Sequence, residues 1–121
     1  MSQRWRFQFK KSVERKTVIA DTAGTAEFKA TAKDNGSTGD DFMLICRIRD
    51  SAAGGLLFVA AGVKQFGTEA AGRVLTDPAR LNAILEKLPS GWENRNLQLV
   101  LQVKVIGNTP GQPFVVASHV W

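Results

Sequence analysis

LLFVAAGVKQFGTEAAGRVLTDP, residues 56–78, decides how this chain folds. Leu56 to Val63 is an apolar run with one glycine inside it, too short for a core helix and bounded by turn formers, so it reads as a strand. It is apolar on both faces, which predicts a place in the interior of a sheet. Four residues separate Gly62 from the pair Gly67-Thr68, which opens a helix expected over about residues 68–75, with Gly67 or Thr68 as its cap. Ala70, Ala71 and Gly72 are small enough to let that helix lie close to the sheet. Asp77-Pro78 then predicts a second start, with Asp77 as N-cap and Pro78 in the first turn. Leu81, Ile84, Leu85 and Leu88 follow at the spacing of one buried helical face.

Strand, glycine turn and helix is also the arrangement that cradles phosphates, because backbone N–H groups and a helix N-terminus point at the anion. Gly62 and Gly67 have the glycine spacing of a Walker A loop, but Thr68 stands where the lysine belongs and Lys64 lies inside the turn. The Rossmann spacing of glycines is absent too. The turn is therefore better explained by close strand–helix packing than by a nucleotide. What it retains is a seat for a small anion such as a carboxylate or sulfate, at Gly62, Lys64, Gln65, Gly67 and Thr68.

Outward from this stretch, the strand-like run at 42–49 and the turn at 50–55 precede it. After it, Pro89 to Trp92 ends the second helix, and residues 96–106 alternate Leu97, Leu99, Leu101, Val103 and Val105 against a more polar face. That polar face is expected to meet solvent, a second lobe or another subunit. A Pro- and Gly-rich turn at 107–113 leads to a last strand ending in Trp121, whose side chain predicts a tied-down terminus. The C-terminal part thus reads β-β-α-α-β-β, an α+β fold with two consecutive helices on one face of a mixed or mostly antiparallel sheet. The relative direction of the strands flanking the helices is left open by the sequence.

Residues 1–33 form an N-terminal β-rich lobe, 34–41 a polar loop and 42–121 the α+β core of what reads as a single 121-residue domain. In the lobe, Trp5, Phe7 and Phe9 alternate with Arg4, Arg6, Gln8 and Lys10, the period of a half-buried strand. Residues 25–32 fit a strand or a helix. The net charge of +5 sits wholly in residues 1–16, where Arg4, Arg6, Lys10, Lys11, Arg15 and Lys16 face only Glu14. A basic segment of this kind attracts polyanions. Arg4, Trp5, Arg6, Lys10 and Lys11 are accordingly the candidates for single-stranded nucleic acid. Strand alternation, however, sends aromatics and cations to opposite faces, which favours a charged edge strand.

Hydrophobic residues make up 44% and charged residues 22%, an ordinary globular balance. There is no membrane-length apolar run and no signal-peptide pattern, and a lone cysteine cannot close an internal disulfide, so a cytoplasmic location is expected. Catalytic candidates are sparse. Cys46 shares its parity with Phe42, Leu44 and Ile48 and reads as core, while His119 is the only histidine. Glu69, Asp77 and Glu93 have no metal-ligand spacing, and no cofactor is expected.

The residues Gly67-Thr68, Ala70-Ala71, Thr76, Gly91-Trp92, Asn96, Gln98, Val100, Pro110-Gly111, Pro113 and Val120-Trp121 carry a resemblance over residues 42–121. The pattern resembles the C-terminal domain of uncharacterised, largely acidobacterial proteins, some of which bear an N-terminal winged-helix or other signalling module. The resemblance implies a bacterial protein and names no activity, and residues 1–41 are not expected to supply such a module. The function expected from all this is a ligand-sensing or protein-interaction module that is not an enzyme and self-associates as a homodimer. Nucleic-acid binding through the N-terminal strand is the alternative, and a small hydrolase or transferase using Cys46 and His119 a further one.

Overall fold

A computed structural model describes residues 6–12, 16–31, 39–50, 55–86, 88, 95–107 and 109–121. The elements run β1 (Phe7–Lys11), β2 (Thr17–Asp21), β3 (Glu27–Phe28), β4 (Gly39–Asp50), β5 (Gly55–Gly62), α1 (Gln65–Thr76), α2 (Pro78–Leu85), β6 (Leu97–Ile106), β7 (Thr109–Pro110) and β8 (Phe114–Val120). The α+β class and the β-β-α-α-β-β order of the C-terminal part are as the sequence predicts. No helix is long and apolar enough to cross a membrane among the described residues.

All neighbouring strands are antiparallel. The larger sheet has the order β5-β4-β6, with β7 and β8 successively along the far side of β6. Because β5 and β6 each run antiparallel to β4, they run parallel to one another, and α1–α2 carries the chain across β4 between them. Among the described residues β5 is therefore an edge strand, and the expected interior position belongs to β4 instead. Apolarity on both faces says nothing about how many neighbours a strand's backbone has.

β4 is the spine of the fold because its two faces serve two cores. Met43 and Ile45 point to the helix side, where they join Leu97, Leu99, Leu101, Val103 and Val105 of β6 and Phe66, Ala70, Ala71, Val74 and Ile84 of the helices. Phe42, Leu44, Cys46 and Ile48 point the other way and meet Val100, Phe7 and Ile19. The second, polar-looking face of β6 is thus covered by the N-terminal lobe, whose three strands form a separate sheet in the order β1-β2-β3. Within segment 25–32 Glu27–Phe28 form a short strand, and the other described residues are neither strand nor helix. Phe28 closes the aromatic contact, edge-on to Phe7 at 6.4 Å and 5.6 Å from Phe42 between centroids.

One side chain ties the lobe to the core. Gln98, fully buried, accepts from Phe7 N–H at 2.9 Å and donates to Phe7 C=O at 2.8 Å, so its amide stands in for a missing neighbouring strand. Its Nε2 also lies 3.4 Å from Cys46 Sγ. Gln98→Ala leaves both polar groups of Phe7 without that partner in a dry interface and is expected to cost about 2 kcal/mol. Hydrogen exchange should show the loss concentrated in β1 and β2; equal protection there in the variant would contradict the role given to Gln98.

The start of β4 differs from expectation. β4 starts at Gly39, so residues 39–41 belong to the strand and not to the polar loop. Their composition is that of a turn, but pairing with Val105, Lys104 and Val103 of β6 overrides it. The terminus is tied down as Trp121 suggests. Asn96 and Trp121 exchange both backbone hydrogen bonds, and the indole stacks on His119 at 5.0 Å.

Candidate functional site

The glycine turn after β5 is built around a carboxylate that the chain supplies itself. α1 begins at Gln65, earlier than its pattern suggests, with Lys64 at the N-cap position and no capping bond from that residue's side chain. The cap comes from Asp41 on β4, which is fully buried. Its Oδ1 accepts from Phe42 N–H at 2.8 Å and Lys64 N–H at 3.1 Å, and its Oδ2 from Gly67 N–H at 2.8 Å. A negative group at a helix N-terminus is what the orphan donors and the helix dipole favour. Thr68 turns inward on its own helix, its N–H and Oγ1 both bonded to Lys64 C=O. Gln65 starts the helix, and its side chain lies outside the described residues. The second start follows expectation: Pro78 is at N1 and Asp77 Oδ1 accepts from Arg80 N–H at 3.3 Å.

Beside this turn a cavity of about 390 Å³ opens between the N-terminal lobe and the core. Lys11, Lys16 and Lys29 reach it from the lobe, and Lys64 from the start of α1. The antiparallel order of the small sheet explains the convergence. The end of β1, the beginning of β2 and the residues after β3 all lie at the end of the sheet where the 11–17 hairpin turns. Ser12, Thr17 and Thr31 add hydroxyls, and Val18, Ala30 and Val63 supply the apolar part of the wall. No carboxylate lines the cavity among the described residues. Lys11 Nζ bonds to Thr17 Oγ1 at 2.9 Å, a neutral partner that leaves its charge in place. Lys29 Nζ lies 3.8 Å from Glu27, whose closer partner is Lys10 at 2.9 Å. Hydrogen bonding from Lys10 holds the Glu27 carboxyl below its ordinary range. Thr31 is pinned to the core by paired 2.7 Å bonds with Asp40, so the lobe side of the cavity is braced against β4.

The residues proposed from sequence are therefore redistributed. Lys64 and Lys11, assigned to different ligands, line one cavity. Gly67 keeps its N–H for Asp41, and Gly62 packs against the helix start. Arg6 forms a two-pronged pair with Asp21 at 2.8 and 2.9 Å and holds that carboxyl below its usual range, while Lys10 pairs with Glu27. Phe7 is buried and Phe9 is 38% exposed. Arg4 and Trp5 lie outside the described residues. Lys16 and Lys29 were missed because they sit at strand ends in separate segments, where no local periodicity relates them.

The catalytic candidates do not meet. Cys46 is 1% exposed, and burial pushes its thiol up from the ordinary range, which keeps it protonated at neutral pH. Gln98 pairs with Cys46 on one side and with His119 on the other, so the two stand two strand spacings apart, about 10 Å. Among the described residues no three His, Cys, Asp or Glu side chains gather as a metal would require. Comparison of the chain with protein-family models, with curated proteins and with solved structures gives no match.

Proposed function

We propose that the protein is a binding module that takes a small anionic ligand in the cavity between its N-terminal lobe and its α+β core. The observation that carries this is the convergence of Lys11, Lys16, Lys29 and Lys64 on one cavity of about 390 Å³. That volume falls in the range of about 300–1,000 Å³ used by small-molecule sites. The cavity adjoins the glycine turn, but the anion seat moves from the helix N-terminus, which Asp41 fills, to the lysines beside it. The described wall combines cations and hydroxyl donors, which suits binding, and the reading is one of binding and sensing. A panel of sulfate, citrate and tripolyphosphate in a thermal-shift experiment tests it. At a concentration of 100 times Kd a ligand stabilises the native state by about 2.7 kcal/mol, a plainly visible shift. The shift should be lost in a Lys11→Gln/Lys29→Gln variant. If no anion shifts the melting temperature, or if the double variant responds like the parent, the proposal fails.

Self-association is favoured by a separate observation. Among the described residues β5 is an edge strand; it carries neither charge nor proline from Gly55 to Gly62, and Val59 is 38% exposed. The opposite side of the sheet is interrupted between β7 and β8 and carries Pro110 and Pro113, features that keep edges apart. A second copy pairing antiparallel along β5 would continue the sheet. Sedimentation should then give about twice the 13.2 kDa chain mass, reverting to one chain in Val59→Lys; a parent that stays monomeric at high concentration contradicts it.

A further inference from the structure

We infer that the ligand of the lysine cavity is an amphiphile, an aliphatic chain that carries a single anionic group. The inference rests on the anion-binding proposal and narrows it to a chemical class. Three properties of the cavity select that class.

The first is the order of the wall from inside to outside. Val18 is 1% exposed, and Ala30 and Val63 are half-buried, whereas Lys11, Lys16, Lys29 and Thr31 are exposed. The apolar members thus lie deeper than the lobe's cations, which form a rim. Lysine suits such a rim, because its methylene stem covers apolar surface while its ammonium stays in water. An anion with no apolar part meets the rim and leaves the floor in contact with water. A chain seated below the head group covers the floor as well, and that burial is favourable.

The second property is continuity with a core. Val63 packs against the cluster that holds Ile19, Phe42 and Leu44, and its N–H donates to Phe42 C=O at 2.9 Å. An aliphatic chain resting on Val63 therefore extends the apolar layer that already joins the lobe to β4. A volume of about 390 Å³ corresponds to roughly a dozen waters, room for several methylenes beyond the head group.

The third is the charge on offer. Lys16 and Lys64 have interactions of their own, so the head group falls to Lys11 and Lys29. Lys11 Nζ bonds to the neutral Thr17 Oγ1 at 2.9 Å, and Lys29 lies 3.8 Å from Glu27, a carboxylate it shares with Lys10. Two cations, one of them partly answered by Glu27, match a head group of one negative charge better than a polyanion. The head group is thus defined by its charge and not by its geometry, and a carboxylate serves as the probe.

Calorimetric titration of the full chain with octanoate, butanoate, citrate and octanol separates the possibilities. Each buried methylene is worth about fourfold in affinity, so octanoate is expected to bind at least about tenfold more tightly than butanoate. Citrate lacks the chain and octanol the charge, and each should also bind at least about tenfold more weakly than octanoate. Octanoate affinity should fall by a similar factor in Lys11→Gln/Lys29→Gln. Circular dichroism of that variant should be unchanged, both lysines being exposed. If butanoate or citrate binds as well as octanoate, the amphiphile class is overturned while the anion site stands. If octanol binds as well as octanoate, or the double variant binds octanoate like the parent, the lysines hold no anion and the anion-binding proposal falls with the inference. Both fall likewise if none of the four binds.

Discussion

Asp41→Ala should lower the unfolding free energy by about 4 kcal/mol, a large fraction of the stability of a domain this size. The side chain is fully buried and accepts three backbone N–H groups, from Phe42, Lys64 and Gly67. Removing it strands those donors where water does not reach, and each stranded donor costs about 1–3 kcal/mol. It also removes a negative group placed against the first turn of α1, which has no acidic residue of its own there. Asp41→Asn keeps one acceptor oxygen but sets an NH₂ against the donors that faced the other, so it should recover about half of the loss. Urea denaturation is the measurement, with the midpoint falling and the slope unchanged. Because α1 lies on β4 and β5 through Phe66, Ala70, Ala71 and Val74, a frayed first turn would also loosen the helix-side core. A loss below about 1 kcal/mol for the alanine variant would show that the turn is held by packing alone.

Asp41 also marks the limit of what could be read from the chain. Period and punctuation are local, and they located both helices and the long strands: the alternation in β6, the i, i+3, i+4 spacing in α2 and the Asp77-Pro78 start all have their cause within a few residues. The partner of the glycine turn lies 26 residues away in sequence and sits in a segment whose glycine and aspartates resemble a loop. Only strand pairing brings its carboxylate under α1, and pairing leaves no trace in local composition. The lysine cavity was illegible for the same reason, since its four cations come from the 11–17 hairpin, the residues after β3 and the start of α1. What was legible there was weaker: Lys64 beside a helix start, and Lys11 in a basic stretch. Gln98 carried a hint in its position, a polar residue inside an otherwise apolar strand. Its meaning depended on the lobe that covers it.

The second large effect concerns the glycines of the turn. Gly62→Ala and Gly67→Ala should each cost about 3 kcal/mol or more, through space and not through backbone angles. Among the described glycines only Gly107 has a positive φ, at 51°, so neither position needs glycine for its conformation. A β-carbon at Gly62 would fall on the backbone nitrogen of Thr68 and the carbonyl carbon of Gly67, well inside contact distance. One at Gly67 would fall on the carbonyl oxygen of Phe42 and lie 3.2 Å from Cγ of Asp41. All but the last of these are main-chain atoms, and they cannot give way without moving α1 off β4 or breaking the bonds to Asp41. Gly72 supplies the control. It is exposed in the middle of α1 with nothing within 4 Å of its added β-carbon, so it has no part in the close approach that Ala70 and Ala71 make. Gly72→Ala is therefore expected to stabilise by about 0.8 kcal/mol, the helix-propensity difference between the two residues. The opposite signs at Gly67 and Gly72 within one helix separate the explanations: if Gly67→Ala stabilises as Gly72→Ala does, propensity and not close packing governs the turn. If Gly62→Ala is tolerated, β5 and α1 do not approach as closely as this arrangement requires, and the geometry that brings Lys64 into the cavity goes with it.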